Sequence, residues 1–288
     1  MIRTTLALSA SVTLLAGPLT WAQTPTPSAG TVTMSATAIG YPVGSSTKVD
    51  LKGTKSAPAA NGEAKVEARQ GVTKIEVKVK GLPQPAAMGA ELLTYVVWVV
   101  SPEGRVSNVG ELLVNKSGDG ELKATSELQT FSLIVTAEPY FAVQQPSEVV
   151  MLENELRKNT KGKVYAIKEY NLMQRNQYQK MGNPLSLSLD LKNVPLEMYQ
   201  ARNAVEIAKM RGAEKYSPEI LTKADASLKM AENALTRKAN KKEIISLARA
   251  TVQSAEDARS LSAQRQEVER VRLEREAAAA KAAQAAEG

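Results

Sequence analysis

Two absences bound the chemistry open to this chain: its 288 residues contain no His and no Cys. That removes histidine general bases, cysteine nucleophiles, zinc sites built from Cys and His, histidine-ligated haem, iron–sulfur clusters and disulfides. Hydroxyl, carboxylate, amide and cationic groups remain. Ser45-Ser46-Thr47-Lys48 has the Ser-x-x-Lys spacing in which an amine activates a serine. Its usual companions, Ser-Asp-Asn and Lys-Thr-Gly, do not occur, and no helix is expected there to hold the pair. Gly118-Asp119-Gly120 puts an acid in a loop, but without the acid spacing of a calcium loop it reads as a hairpin turn. No glycine-rich phosphate loop occurs. Glu138, Glu153 and Asn154 stand beside apolar runs, where polar groups close hydrogen bonds at sheet edges or form a recognition site. No pair of acids stands out as facing one cleft. No catalytic, cofactor-binding or metal-ligating residue is assigned, and no cofactor is expected.

Basic residues exceed acidic ones, 37 to 30, for a net charge of +7. The excess permits contact with anionic surfaces. It is spread through the chain and interleaved with acids, unlike a nucleic-acid-binding tail. Arg175, Tyr178 and Lys180, near Tyr170, form a candidate basic and aromatic interaction surface, with Arg265 and Arg272 further along. The plainer account is a packing linker with solvated charges. No nucleic-acid partner is expected.

The elements that must position these groups change character along the chain. Residues 1–22 read as a secretory signal: Arg3 supplies the positive end, 6–15 the short apolar run, and Thr20 and Ala22 the small residues before cleavage between Ala22 and Gln23. The apolar run is shorter than the roughly 20 residues of a membrane span, so no transmembrane segment is expected after signal removal. Residues 23–30, rich in Thr and Pro, read as a disordered leader.

Between 31 and 150 the period is two. Residues 74–80 alternate Lys or Glu with Ile75, Val77 and Val79, placing the apolar side chains on one face. Tyr95-Val96-Val97-Trp98-Val99-Val100 is apolar on both faces and predicts a central buried strand. Ser101-Pro102-Glu103-Gly104 is turn chemistry. About seven short strands predict an antiparallel β-sandwich, with a small barrel as runner-up. Residues 151–194 read as a connector, with a short strand at 164–167 and a short helix at 170–178.

From Pro195 the period becomes helical. Ala201, Ala204, Val205 and Ala208 form one stripe; Leu221, Ala224, Leu228, Ala231 and Leu235 a second; Ile244, Ala248, Val252, Ala255 and Ala258 a third. Ser217-Pro218 predicts a helix start with Ser as N-cap. Small stripe residues let helices approach closely, so 195–262 predicts a slim three-helix antiparallel bundle rich in alanine. Residues 263–288 predict an extended helical tail, charged and then Ala-rich, that spans solvent or awaits a partner.

Two resemblances follow from particular residues. Gly81-Leu82-Pro83, Tyr95-Val96-Val97-Trp98, Gly110-Glu111-Leu112, Thr136-Ala137-Glu138-Pro139 and Pro146-Ser147 resemble the extracytoplasmic β-sandwich of anti-sigma-K-type factors. That implies a sandwich; no sigma-factor role carries over, because the family's cytoplasmic helical domain and membrane helix do not precede it. Residues 197–204, Arg211-Gly212-Ala213-Glu214-Lys215-Tyr216-Ser217-Pro218-Glu219 and Ala255-Glu256-Asp257-Ala258-Arg259 resemble the periplasmic helical domain of unknown function 4398, found ahead of OmpA-like peptidoglycan-binding domains. That implies location and architecture, not a reaction. The expectation is a non-enzymatic exported protein of the periplasm or cell envelope, outer-membrane-associated, with a β-sandwich for binding and helices as spacer or coiled-coil oligomerisation element. Its expected partners are an envelope protein, peptidoglycan or another anionic surface, or a second copy through the C-terminal helix. The alternative is a periplasmic sensing or regulatory domain.

Overall fold

The alternation at 74–80 becomes a strand whose Thr73, Ile75, Val77 and Val79 are buried while its lysines face solvent. In the computed structural model, which describes residues 31–174, 177 and 189–287, ten such strands occur among the described residues. They are β1 (Thr31–Gly40), β2 (Ser46–Gly53), β3 (Asn61–Arg69), β4 (Val72–Lys80), β5 (Thr94–Val100), β6 (Val106–Leu112), β7 (Gly120–Ser126), β8 (Thr130–Glu138), β9 (Val150–Glu155) and β10 (Lys163–Met173). The expected signal peptide, its cleavage site at Ala22 and Gln23, and the leader lie outside the described residues.

All the strand pairings are antiparallel. The strands run β6-β5-β8-β9-β2-β3-β4-β7, and β1 with β10 branches from β8 at Ile39 and Gly40. The β6–β7 turn, closed by a Val114–Gly120 bridge, returns the last strand to the side of the first. The antiparallel β layer is therefore one connected sheet rolled towards a barrel, closer to the runner-up expectation than to two stacked sheets. Its interior holds Val49, Leu51, Val66, Ile75, Val77, Tyr95, Val97, Val99 and Leu133.

The sheet also extends past residue 150. β9 pairs with β2 and β8, and β10 pairs with β1 from Lys163 to Met173. Residues 151–173 thus belong to the sheet rather than to a connector. The helix expected from Tyr170 gives way to the end of β10, where Tyr170, Leu172 and Met173 are buried against neighbouring elements. Cross-strand pairing, a long-range term, outweighs the weak local pattern there.

After Pro195 come α1 (Leu196–Met210), α2 (Ala213–Tyr216), α3 (Pro218–Thr236) and α4 (Lys241–Glu287). Asn240 caps α4 by accepting the Glu243 N–H at 2.9 Å. Ser217 precedes α3 as expected, but its hydroxyl does not cap that helix. It binds the Ala258 carbonyl at 2.8 Å and pairs with the Ser262 hydroxyl at 2.7 Å, tying α3 to α4.

The helices share one core with the outer face of the sheet. Val96, Trp98, Val100 and Ile134 pack in the same cluster as Met198, Ala201, Val205, Ala248, Val252 and Ala255. This explains why β5 is buried on both faces: Tyr95, Val97 and Val99 point into the barrel, and Val96, Trp98 and Val100 meet the helices. Alanine buries little area, whereas a Val or Leu buried in full contributes about 1.5–3 kcal/mol. The alanine stripes therefore draw stability from the sheet as well as from one another. From Ala263 onward α4 is exposed almost throughout, for about 36 Å over 264–287 at 1.5 Å per residue, with Arg265, Gln266 and Glu269 still tied to the turn and short helix at 211–216. No helix among the described residues is long and apolar enough to cross a membrane.

Candidate functional site

A groove of mixed lining follows the line where α4 meets the sheet. On the α4 side, Arg249, Gln253, Ser260 and Gln264 recur at helical spacing on one flank. The opposite wall comes from the turn at 101–105, the start of β6, and the loop at 139–146 that follows β8. The larger part of the groove, about 600 Å³, is lined by Arg105, Asn171, Gln144, Gln145, Arg259 and Ser260, among others, and by no carboxylate. A second part of about 460 Å³ adds Asn108, Glu111, Phe141 and Arg249, and the two share Val106, Ser107 and Gln144.

Two buried carboxylates anchor the walls. Glu256, fully buried on α4, accepts the Tyr140 hydroxyl at 2.7 Å and the Gln144 N–H at 2.9 Å. Arg259, one turn on and itself buried, grips the same carboxylate with Nε and Nη2, both at 2.7 Å. This fork geometry is what lets an arginine and a carboxylate lie together out of water. Glu111 on β6 accepts the Thr94 hydroxyl at 2.9 Å, Gln200 Nε2 at 2.6 Å and Arg249 Nη1 at 3.0 Å. It thereby joins strand, α1 and α4. The Arg249 guanidinium lies 3.8 Å from the centroid of the Phe141 ring, a cation–π contact.

The 139–146 loop is held at several points. Asn108 Nδ2 donates to the carbonyls of Phe141 and Val143, both at 2.9 Å, and Ser260 donates to the Gln144 side chain at 2.8 Å. The loop is a fixed wall, positioned by groups from β6, α1 and α4.

Beneath the groove, Trp98 Nε1 donates to the Thr136 hydroxyl at 2.8 Å, which donates to Glu138 Oε1 at 2.5 Å. The Ser147 N–H reaches the same oxygen at 2.7 Å. The second oxygen, Oε2, is buried with no hydrogen-bond partner among the described residues. Burial pushes the Glu138 carboxyl up to about 8, and the charge of Glu256 adds to the effect. Glu138 is thus chiefly the neutral acid at pH 7. It is the last residue of β8, a strand paired on both sides, and is fully buried.

The residues singled out from sequence fall in different places. Arg175, Tyr178 and Lys180 lie outside the described residues. Arg265 donates to the Tyr216 carbonyl, bracing the α2–α3 junction. Arg272 pairs along α4 with Glu276 at 2.9 Å. Neither lines the groove. Lys48 faces Glu63 at 2.9 Å while the Ser45 hydroxyl binds the Pro42 carbonyl, so the Ser-x-x-Lys pair makes no mutual contact. Asp119 accepts the Gly81 N–H in a hairpin turn. Asn154 bridges three strands, accepting from Ser132 and Leu133 and donating to the Thr37 carbonyl. Glu153 is exposed. No cluster of acids able to hold a metal ion occurs among the described residues.

Sequence reasoning missed Glu111, Tyr140, Gln144, Arg249, Glu256 and Arg259. One signal was available: Glu256 and Arg259 interrupt the alanine stripe of α4 at a spacing of three, which places both on a helix face that must be buried. The groove presents amides, hydroxyls and guanidinium groups together with apolar side chains such as Val106, Leu128 and Phe141, a mixture that suits recognition. No protein-family model and no curated protein sequence matches this chain.

Proposed function

We propose that this chain is an exported, non-enzymatic structural or interaction protein of the periplasm or cell envelope. Its sheet–helix body carries the binding groove, and its last helix is a spacer or oligomerising arm. The observation that carries this reading is the course of α4. One helix contributes a buried stripe and a groove wall in its first half, then continues for about 36 Å with its faces exposed. A rod continuous with a recognition surface holds that surface at a distance or joins it to another copy.

Export is supported by the signal pattern before Gln23, and a periplasmic location by the two resemblances, to an extracytoplasmic β-sandwich and to a periplasmic alanine-rich helical domain. The partners that suit the excess of positive charge are an envelope protein, a wall polymer or an anionic membrane surface. The alternative, a periplasmic sensing domain, is favoured by the groove itself, because a ligand there touches sheet and helix together.

Light scattering of the chain from Gln23, with and without the segment after Ala263, tests the arm. A dimer or larger species that becomes a monomer on truncation assigns oligomerisation to it. Monomers in both cases make it a spacer. A truncated chain that fails to fold overturns the division into body and arm. Fractionation followed by N-terminal sequencing tests export: protein in the periplasmic fraction beginning at Gln23 is expected, and protein confined to the cytoplasmic fraction with Met1 intact refutes it.

A further inference from the structure

At one end of the helical layer α1 begins, α3 ends and α4 begins. Lys192, Lys238 and Lys241 converge there on a pocket of about 280 Å³, whose lining includes Leu191, Leu235 and Ile244. Lys242 follows Lys241 in the first turn of α4. All four lysines are exposed, and none of them forms an ion pair among the described residues. The acids of the same segments are Asp190, Glu197 and Glu243. Glu243 is taken by Arg237, and Asp190 accepts the Asn193 side chain at 2.7 Å. Across 190–197 and 237–243 five cations thus stand against three acids.

One of these lysines occupies a place that favours glycine. Lys238 follows α3 with φ of +55°, the one non-glycine residue at positive φ among the described residues. The Ala239 N–H bonds the Ala234 carbonyl at 2.9 Å, closing the helix-ending turn in which glycine usually stands. Glycine would adopt that conformation without strain. Lysine keeps a cation on the rim of the pocket instead.

Apolar side chains are exposed beside the lysines. Leu191, 53% exposed, also lines an adjoining pocket of about 110 Å³, which it shares with Leu113, 54% exposed. Leu113 comes from the turn between β6 and β7, so sheet and helices both contribute to this end. In the same turn Lys116 is exposed and without an ion pair among the described residues, and Asp119 accepts the Gly81 N–H. The lysines are compact charges on flexible stems, spread over separate segments. That arrangement suits an extended anionic surface better than a single ion, which fixed and buried donors would hold. Leucines exposed among lysines match a bilayer interface, where ammonium groups meet phosphates and apolar side chains enter. α4 adds a direction. It starts at this face and runs for 47 residues, about 70 Å, to Glu287. Docking by this face leaves the exposed arm pointing away from the surface.

We propose that this end of the molecule docks on an anionic phospholipid bilayer, with Lys192, Lys238 and Lys241 at the headgroup phosphates and Leu113 and Leu191 entering the interface. The proposal rests on the envelope reading above and selects the membrane surface from its partners.

Co-sedimentation with vesicles tests it, using the chain from Gln23, because the apolar run at 6–15 would itself enter a bilayer. Vesicles of equal parts phosphatidylglycerol and phosphatidylcholine are compared with pure phosphatidylcholine. Binding is expected to the anionic vesicles alone and to weaken as salt rises. Lys238→Gly removes one charge and relaxes the backbone. It should weaken partitioning about fivefold, the scale of one lysine at an anionic surface, without lowering the temperature of thermal unfolding. Adding Lys192→Gln and Lys241→Gln should bring the loss to about a hundredfold, with circular dichroism as the check on folding. Leu191→Ser should weaken binding at high salt as well, where the charges are screened. No partitioning onto the anionic vesicles, equal partitioning onto both kinds, or partitioning unmoved by the triple variant overturns the proposal. Binding of polyglutamate that the triple variant abolishes, with none to vesicles, gives the face to an acidic polymer and overturns the lipid assignment. The oligomeric state and export of the chain are read without lipid, so failure of the membrane assignment is distinguishable from failure of the envelope reading.

Discussion

A carboxylate without solvent contact must be held by donors, and Glu256 is held by Tyr140, Gln144 and the forked Arg259. Removing one partner of such a pair leaves the other charge buried and uncompensated, which costs about 3–5 kcal/mol. Glu256→Ala is accordingly expected to lower unfolding free energy by that amount in urea titration and to release the 139–146 loop. A loss under about 1 kcal/mol would mean that Arg259 finds water and that the pair is not sealed. Glu138 behaves differently because its environment favours the neutral form. Its carboxyl is raised from an ordinary 4.5 to about 8, first by burial. Between those two values the unfolded chain gives up the proton while the folded chain keeps it. Rising pH therefore favours unfolding, by up to about 1.4 kcal/mol per pH unit from this group. Glu138→Gln keeps an acceptor for Thr136 and Ser147 and cannot ionise. Its stability relative to the parent should rise from pH 5 to pH 8; equal pH dependence in both proteins rejects the assignment.

At the scale of the element, the turn from β5 to β6 sets one wall of the groove. Gly104 donates its N–H to the Ser101 carbonyl at 2.9 Å with φ of +80°, and a Cβ there would stand 2.2 Å from the Glu169 carbonyl oxygen. Gly104→Ala combines a left-handed backbone, about 1–3 kcal/mol, with a backbone clash against β10. Thermal unfolding should show a loss at or above that range, and Arg105 should shift with the turn. This turn was legible in the sequence, as were the alternation of β4 and the two-faced burial of β5, because each is set by residues adjacent in the chain. β9 and β10 were not, because their partners β2, β8 and β1 lie far away in sequence and their own pattern is mixed. The same division holds for the groove. The Glu256–Arg259 pair could be inferred from two polar residues on an alanine stripe. Glu111, Tyr140 and Gln144 arrive from a strand and a loop whose position beneath α4 follows only from the rolled sheet.

For the whole molecule, the question is whether sheet and helices are two units or one. Their common cluster argues for one: Trp98, Val96, Val100 and Ile134 are fully buried on the sheet's outer face, and the alanine stripes of α1, α3 and α4 lie in the same cluster. A helical layer built from alanine gains little from its own contacts, since alanine supplies a fraction of the area of the larger apolar residues. Helices of this length are marginal in water without tertiary packing. Residues 195–262 alone should thus show weak helicity by circular dichroism and a broad, non-cooperative thermal transition. Residues 31–174 alone should expose the outer face of β5 and β8 and associate, as contiguous apolar patches do. Mixing the two pieces should restore helicity and cooperative unfolding, and both effects should be absent with a Trp98→Ala sheet piece. A sharp, reversible transition in the isolated helical piece would show instead that the helices are self-sufficient. The groove would then lie between two independent domains, and its width would depend on how they dock.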